Sequence, residues 1–239
     1  MNDFGLTTVF SFAPGGWGSA MSAASAMTIA VAVTGFIAGA IIGGFGAWAK
    51  ISGGTVLRAL ADGYTTVLRG IPDLLVIYLF YFGSSAILTP IGRVFGAQGF
   101  LSLPAFLAGA LAIAIVSGAY HTEVFRGAYQ VVARGEIEAA YATGMSTALA
   151  FRRIIAPLTL RFAVPGLANI WQLVLKESSL ISVTGLVEIL RQAQVGAGST
   201  KQPFTFFLAA AILYLLISSA SGWALQYAEK HFTRGLRRG

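Results

Sequence analysis

The sequence predicts an all-α, polytopic membrane protein with about five transmembrane helices. Three observations predict it. Of its 239 residues, 56% are hydrophobic and only 10% are charged, where a soluble domain carries about 25% charged residues. The apolar residues collect in five long runs, each near the length needed to cross about 30 Å of hydrocarbon. The polar stretches between the runs are short and rich in Lys and Arg. Residues 1–239 therefore read as a single transmembrane domain, with no room for a second large soluble one.

The first span is expected at about 21–49, a stretch without a charged side chain. Ahead of Lys50 the only charge is Asp3. With no basic n-region, the first apolar run is expected to stay in the membrane. Residues 52–69, with Arg58 and Asp62, read as a helix at the membrane surface. It ends at Gly70-Ile71-Pro72, which is expected to break the helix and restart it as a second span over about 71–88. The third span is expected at about 103–125, running helically toward Val132. A polar loop at about 134–153 precedes the fourth span, about 154–177, which Pro157 and Pro165 interrupt. A Gly-rich stretch, a short helix and a loop, leads to the fifth span at about 203–228 and a basic tail. Gly35, Gly39 and Gly43 form a strip at four-residue spacing along the first span. It serves either an assembly interface or packing within one bundle.

The charges orient these spans. The regions 50–69, 126–161 and 230–238 hold twelve of the sixteen Lys and Arg. Basic loops stay cytoplasmic, so the chain is expected N-out and C-in, and an odd number of spans follows. The net charge of +7 lies in patches between apolar runs, which points to membrane orientation and not to nucleic acid. The tail residues Arg234, Arg237 and Arg238 are expected at anionic lipid head groups. There is no cysteine, which excludes disulfides and thiolate metal sites. His121 and His231 are too far apart in the chain to read as a metal cluster, so no metal is expected.

The loop reads EAAYATGMSTALAFRRIIAP from Glu138. It has the form of a short helix, a turn at Gly144, and a second helix entering the membrane. Ala139 and Ala140 are small enough for close docking, and Arg152 and Arg153 can stay at the membrane surface. The spacing of Glu138, Ala139, Ala140, Gly144, Ile154 and Pro157 resembles the EAA loop of ABC importer permeases, with Ala156 where Leu is usual. Residues 64–75 (YTTVLRGIPDLL), 122–128 (TEVFRGA) and 165–180 (PGLANIWQLVLKESSL) are similar to segments of the polar amino acid permeases. The likeness is strongest to the Q-type permeases of histidine/lysine/arginine/ornithine and octopine/nopaline transporters.

The resemblance implies a type I ABC importer permease fold in a bacterial inner membrane. It implies a second permease chain (in this branch often a paralogue, making a heterodimer), two ATP-binding subunits and a periplasmic solute-binding protein. It also implies that the EAA loop couples the spans to the ATPase. The chain has no GxxxxGK[ST] pattern, so ATP and Mg are expected on the ATP-binding partner, and the chain is read as a transport subunit and not an enzyme. The implied cargo is a polar, basic amino acid or an arginine-derived opine. An ion-gradient-driven amino acid carrier is the alternative, but it would call for inverted repeats and a coupling-ion site within one chain. A serine or metal intramembrane enzyme would need a convergent catalytic set, and neither HExxH nor paired histidines occur.

A zwitterionic cargo needs polar groups inside the spans. The candidate substrate-binding residues are Asp73, Glu123, Asn169, Gln172 and Glu177. Asp73 either meets a cationic group or stabilises the N-terminus of the restarted helix. Glu123 either does the same or pairs with Arg126, three residues on. Glu177 is expected to pair with Lys176 or to lie in interfacial water unless it binds cargo.

Overall fold

Hydrocarbon offers no partner for backbone N–H and C=O groups, so a spanning chain satisfies them within helices. The computed structural model describes residues 9–96, 99 and 101–232. Its helices are α1 (Gly18–Ser52), α2 (Thr55–Gly70), α3 (Asp73–Val94), α4 (Ala105–Val131), α5 (Arg134–Ala142), α6 (Thr147–Ala150), α7 (Ala156–Glu177), α8 (Ile189–Thr200) and α9 (Pro203–Phe232). A π turn at Phe151–Ile155 joins α6 to α7, and a 3-10 segment, Ser178–Thr184, follows α7. Among the described residues five stretches are long and apolar enough to cross a membrane: Gly18–Ser52, Asp73–Val94, Ala105–Val131, Thr147–Thr184 and Pro203–Tyr227. At about 1.5 Å per residue, α1 is about 50 Å long, so it outreaches the hydrocarbon.

The breaks have local causes. Ile71 and Pro72 are extended, with ψ of 150° and 133°, and α3 starts at Asp73. A residue before proline is pushed out of the helical region, which stops α2 there. Pro157 has no N–H to donate and its ring crowds the carbonyl four residues back. The π turn occupies that stretch, where the ladder is already loosened. α3 runs through Pro90 to Val94.

The chain divides into two compact units. The first comprises Met1–Gly35, Pro72–Ile113 and Leu173–Ala220. Its core gathers Val9, Met21, Ile189, Ala193, Phe206 and Ala210. Phe206 is fully buried, edge-on to Phe10 and Trp17 with ring centroids 5.2 Å away in each case. Gly196 leaves the room that this ring fills. Glu188, also fully buried, caps α8 by accepting from Leu190 N–H (2.9 Å) and Arg191 N–H (2.7 Å), and it accepts from the Tyr214 hydroxyl (2.7 Å). Burial pushes its carboxyl up, and these hydrogen bonds oppose that.

The second unit comprises Phe36–Ile71, Ala114–Gln172 and Ser221–Gly239. Here α1 lies directly on α4. A Cβ on Gly39, Gly43 or Gly46 would collide with Ser117, His121 or Thr122. For Gly39 and Gly43, then, the strip serves packing within the chain. His121 is fully buried; its ring meets Phe36 edge-on at 4.8 Å, and its Nδ1 lies 2.8 Å from the Ser117 carbonyl. Tyr64 on α2 donates to the Ile115 carbonyl of α4 at 2.5 Å. Burial pushes the Tyr64 phenol up to about 12, so it remains a donor. The residues 233–239, with Arg234, Arg237 and Arg238, and the side chain of His231 lie outside the described residues.

Candidate functional site

Three groups of polar residues stand out. The first is a pair of acids in the first unit. Asp73 opens α3 and is half-buried, with no side-chain cap from Pro72 ahead of it. A carboxylate in the first turn complements the positive end of the helix dipole. Glu177 closes α7 and is 5% exposed. The charged group that acts on it directly is the Asp73 carboxyl. Among the described residues neither Glu177 oxygen meets a donor in hydrogen-bond geometry. This corrects the expectation that Glu177 pairs with Lys176 or lies in interfacial water. Lys176 is exposed, and no ion pair joins the two among the described residues. Adjacent helix positions point about 100° apart, so burying one face leaves the next residue outside. Two acids meet here in a low-dielectric setting, and among the described residues no cation pairs with either, an arrangement that favours a bound positive charge.

The second group is in the other unit. Glu123 on α4 accepts from Lys50 Nζ at 2.6 Å through Oε1. It accepts from Arg126 Nε (3.0 Å) and Nη2 (2.8 Å) through Oε2. Of the two alternatives open for Glu123, the structure has the Arg126 pair. Lys50 also donates to Thr65 Oγ1 (2.6 Å) and pairs with Asp62 (2.8 Å). Both Glu123 oxygens are thus taken and its charge is compensated. Lys50 reads in the sequence as one of the orienting cations of the region 50–69. Its one sequence signal is that it ends a long uncharged run. Nothing local names a partner 73 positions away. The two neutral candidates are also in this unit: Asn169 is exposed, and Gln172 is half-buried with its amide nitrogen facing Gly222.

The third group is the loop after α4. α5 ends in a hydrogen-bonded turn. Gly144 has φ of +80°, its N–H donates to the Tyr141 carbonyl (3.0 Å), and Met145 N–H donates to the Ala140 carbonyl (3.2 Å). This is the Schellman pattern, whose left-handed position favours glycine. No atom lies within 4 Å of where a Gly144 Cβ would stand, so the demand is conformational and not one of space. Ala140 is buried against the rest of its unit, while Glu138 and Ala139 are exposed and Tyr141 is 44% exposed. Ile154 is half-buried and Pro157 exposed. α5 thus presents Glu138, Ala139 and Tyr141 outward on a short helix with a defined end. Among the described residues no cluster of three or more His, Cys, Asp or Glu stands ready for a metal.

Comparison with known proteins shows the family. Residues 35–234 match the family model described as binding-protein-dependent transport system inner membrane component. The octopine transport system permease protein OccQ of Rhizobium meliloti is 58% identical over 98% of this chain and 99% of its own length. The nopaline transport system permease protein NocQ of Agrobacterium fabrum is 47% identical, over 96% and 98%. The histidine/lysine/arginine/ornithine transport system permease protein HisQ of Escherichia coli is 34% identical, over 89% and 92%. Among solved structures, one described as an amino acid ABC transporter with histidines superposes with a TM-score of 0.76 at 30% identity, covering 90% of this chain and 95% of that one.

Proposed function

We propose a cargo and a set of contacts for a chain that belongs to the binding-protein-dependent transport system inner membrane component family and is a permease of amino acid and opine ABC importers. It is a multi-pass inner-membrane protein. The family implies ATPase and binding-protein partners in general. The finer assignment is a complex of this chain with a paralogous permease, two ATP-binding subunits that hold ATP and Mg, and a periplasmic solute-binding protein. The N-terminus faces outward and the C-terminus inward, as the basic loops favour.

The cargo is a basic amino acid or an arginine-derived opine. The observation that carries this reading is the Asp73–Glu177 pair, two carboxyls in contact range without a cation between them. An ammonium or guanidinium group would relieve their mutual repulsion and gain charge-assisted hydrogen bonds. The names of the relatives support the same class: octopine, nopaline, and histidine, lysine, arginine or ornithine. Asn169 and Gln172 are proposed as neutral contacts for the cargo elsewhere along its path. Glu123 is set aside because Lys50 and Arg126 already occupy it.

Coupling runs through the loop at 134–157. Glu138 and Ala139 seat α5 against the ATPase, buried Ala140 fixes that helix to its own unit, Gly144 holds its end, and Ile154 and Pro157 begin the return toward the membrane. ATP binding draws the ATPases together, the seated helices follow, and access to the carboxyl pair alternates between the two sides. Uptake kinetics of the assembled importer test the cargo assignment. Glu177→Gln and Asp73→Asn are expected to raise the apparent KM for the cationic cargo about tenfold or more, the effect of one charge-assisted hydrogen bond. Unchanged KM in both variants would remove the pair from the pathway.

A further inference from the structure

A cavity of about 500 Å³ in the second unit is lined by Lys50, Arg58, Asp62, Arg126, Tyr129 and Gln130. The end of α1, the polar face of α2 and the last turns of α4 supply these residues. The cations here outnumber the acids. Lys50 is 7% exposed and already holds Asp62, Glu123 and Thr65. Arg126 commits Nε and Nη2 to Glu123 and makes no hydrogen bond through Nη1 among the described residues. Arg58 is exposed, and no ion pair reaches it among the described residues, although Asp62 stands four positions on along the same helix face. Among the described residues Lys50, Arg58 and Arg126 thus stand against two carboxylates, Asp62 and Glu123, and the surplus charge rests on Arg58 and on Nη1 of Arg126. Tyr129 and Gln130 add neutral donors at the rim.

The surroundings say where this cavity lies. Lys50 is two residues from the end of α1, and Gln130 is one residue from the end of α4. Both helices are long and apolar enough to span, so their ends belong at head-group depth. Trp48, 57% exposed, is placed as an interfacial aromatic would be. On α2, Val56 and Leu60 are 73% and 66% exposed, so a helix whose polar side faces the cavity shows apolar side chains elsewhere. Such a helix suits the boundary between head groups and acyl chains.

We propose that this cavity is a binding site for a phosphate-bearing anion, with Arg58 and Nη1 of Arg126 as its charged donors. It shares no residue with the proposed acidic cargo site and prefers the opposite charge. The phosphate has two sources, an anionic phospholipid head group or a soluble phosphate ester, and the apolar face of α2 favours the lipid.

The test is native mass spectrometry of the full-length chain, purified in detergent with its partner subunits. The added probes are phosphatidylglycerol, phosphatidylcholine and glycerol 3-phosphate. The expected result is preferential retention of phosphatidylglycerol, weakened about fivefold by Arg58→Gln and kept by Arg58→Lys. Arg58 is exposed, so neither change threatens folding. Binding of glycerol 3-phosphate in place of the lipid, with the same dependence on Arg58, assigns the site to a soluble ester. Equal retention of the anionic and zwitterionic lipids with no binding of glycerol 3-phosphate overturns the proposal. So does binding of both anions that ignores Arg58→Gln.

Discussion

Single residues decide the chemistry, and several do so against the first impression of their type. Glu123 and Glu177 are both acids near the ends of apolar runs. One is compensated by Lys50 and Arg126, while the other has Asp73 as its charged partner among the described residues. The sequence offered Glu123 a local partner at three residues, and that partner is there. It offered Glu177 a neighbour, Lys176, whose helix position points elsewhere. Contacts between distant segments, such as Lys50 with Glu123 or Asp73 with Glu177, depend on helix packing, which no local pattern encodes. Lys50→Met removes one cation from three acceptors, leaving Glu123 to Arg126 and Asp62 without an ion pair among the described residues. A loss of about 2 kcal/mol is expected, reduced from a fully buried pair by the exposure of Asp62. Thermal unfolding of the detergent-purified protein would read it as a Tm lower by several degrees, and an unchanged Tm would show the cluster to be dispensable. Gly144→Ala forces a Cβ into the left-handed region at a cost of about 1 kcal/mol. It should impair ATPase coupling more than expression, and Gly144→Asn should be milder. Equal coupling in all three proteins would contradict a conformational role for Gly144.

Helices carry the next level. Apolar runs broken by Gly and Pro made most of them readable, because a chain in lipid has few alternatives to helix. Gly70-Ile71-Pro72 signals its break through proline's effect on the preceding residue. The π turn before Pro157 had no such signal, since widening a helix and kinking it are both open to a proline. The glycine strip was legible as a close-packing face, but its partner was not. For Gly39 and Gly43 that partner is α4. Gly43→Val would drive a side chain into the backbone at His121 and should destabilise the protein by about 2 kcal/mol. Gly44→Ala, whose Cβ would meet nothing within 4 Å, is the matched control and should be neutral or slightly stabilising. Thermal denaturation of the two variants side by side checks this. Equal behaviour would mean that the α1–α4 approach is looser than described.

For the whole molecule, composition and charge asymmetry carried the reading. A chain with 10% charged residues and five apolar runs has a membrane as its solvent. The basic residues of 50–69, 126–161 and 230–238 favour one orientation. The native chain has no cysteine, so single cysteines report sidedness directly. Thr143→Cys should react with a membrane-impermeant maleimide only after the cells are opened, and Ser199→Cys should react in intact cells. The opposite pattern would invert the topology.

The central claim is that this permease couples ATP hydrolysis to import of a basic amino acid or arginine-derived opine. ATP hydrolysis in proteoliposomes tests it most directly, with the chain reconstituted beside its ATPase, second permease and binding protein. Arginine, histidine, lysine, ornithine and arginine-derived opines would be supplied through the binding protein. The account predicts stimulation by at least one of them, lost when Glu138 is replaced by Ala. No stimulation by any cationic cargo, together with uptake that follows an ion gradient, would contradict it.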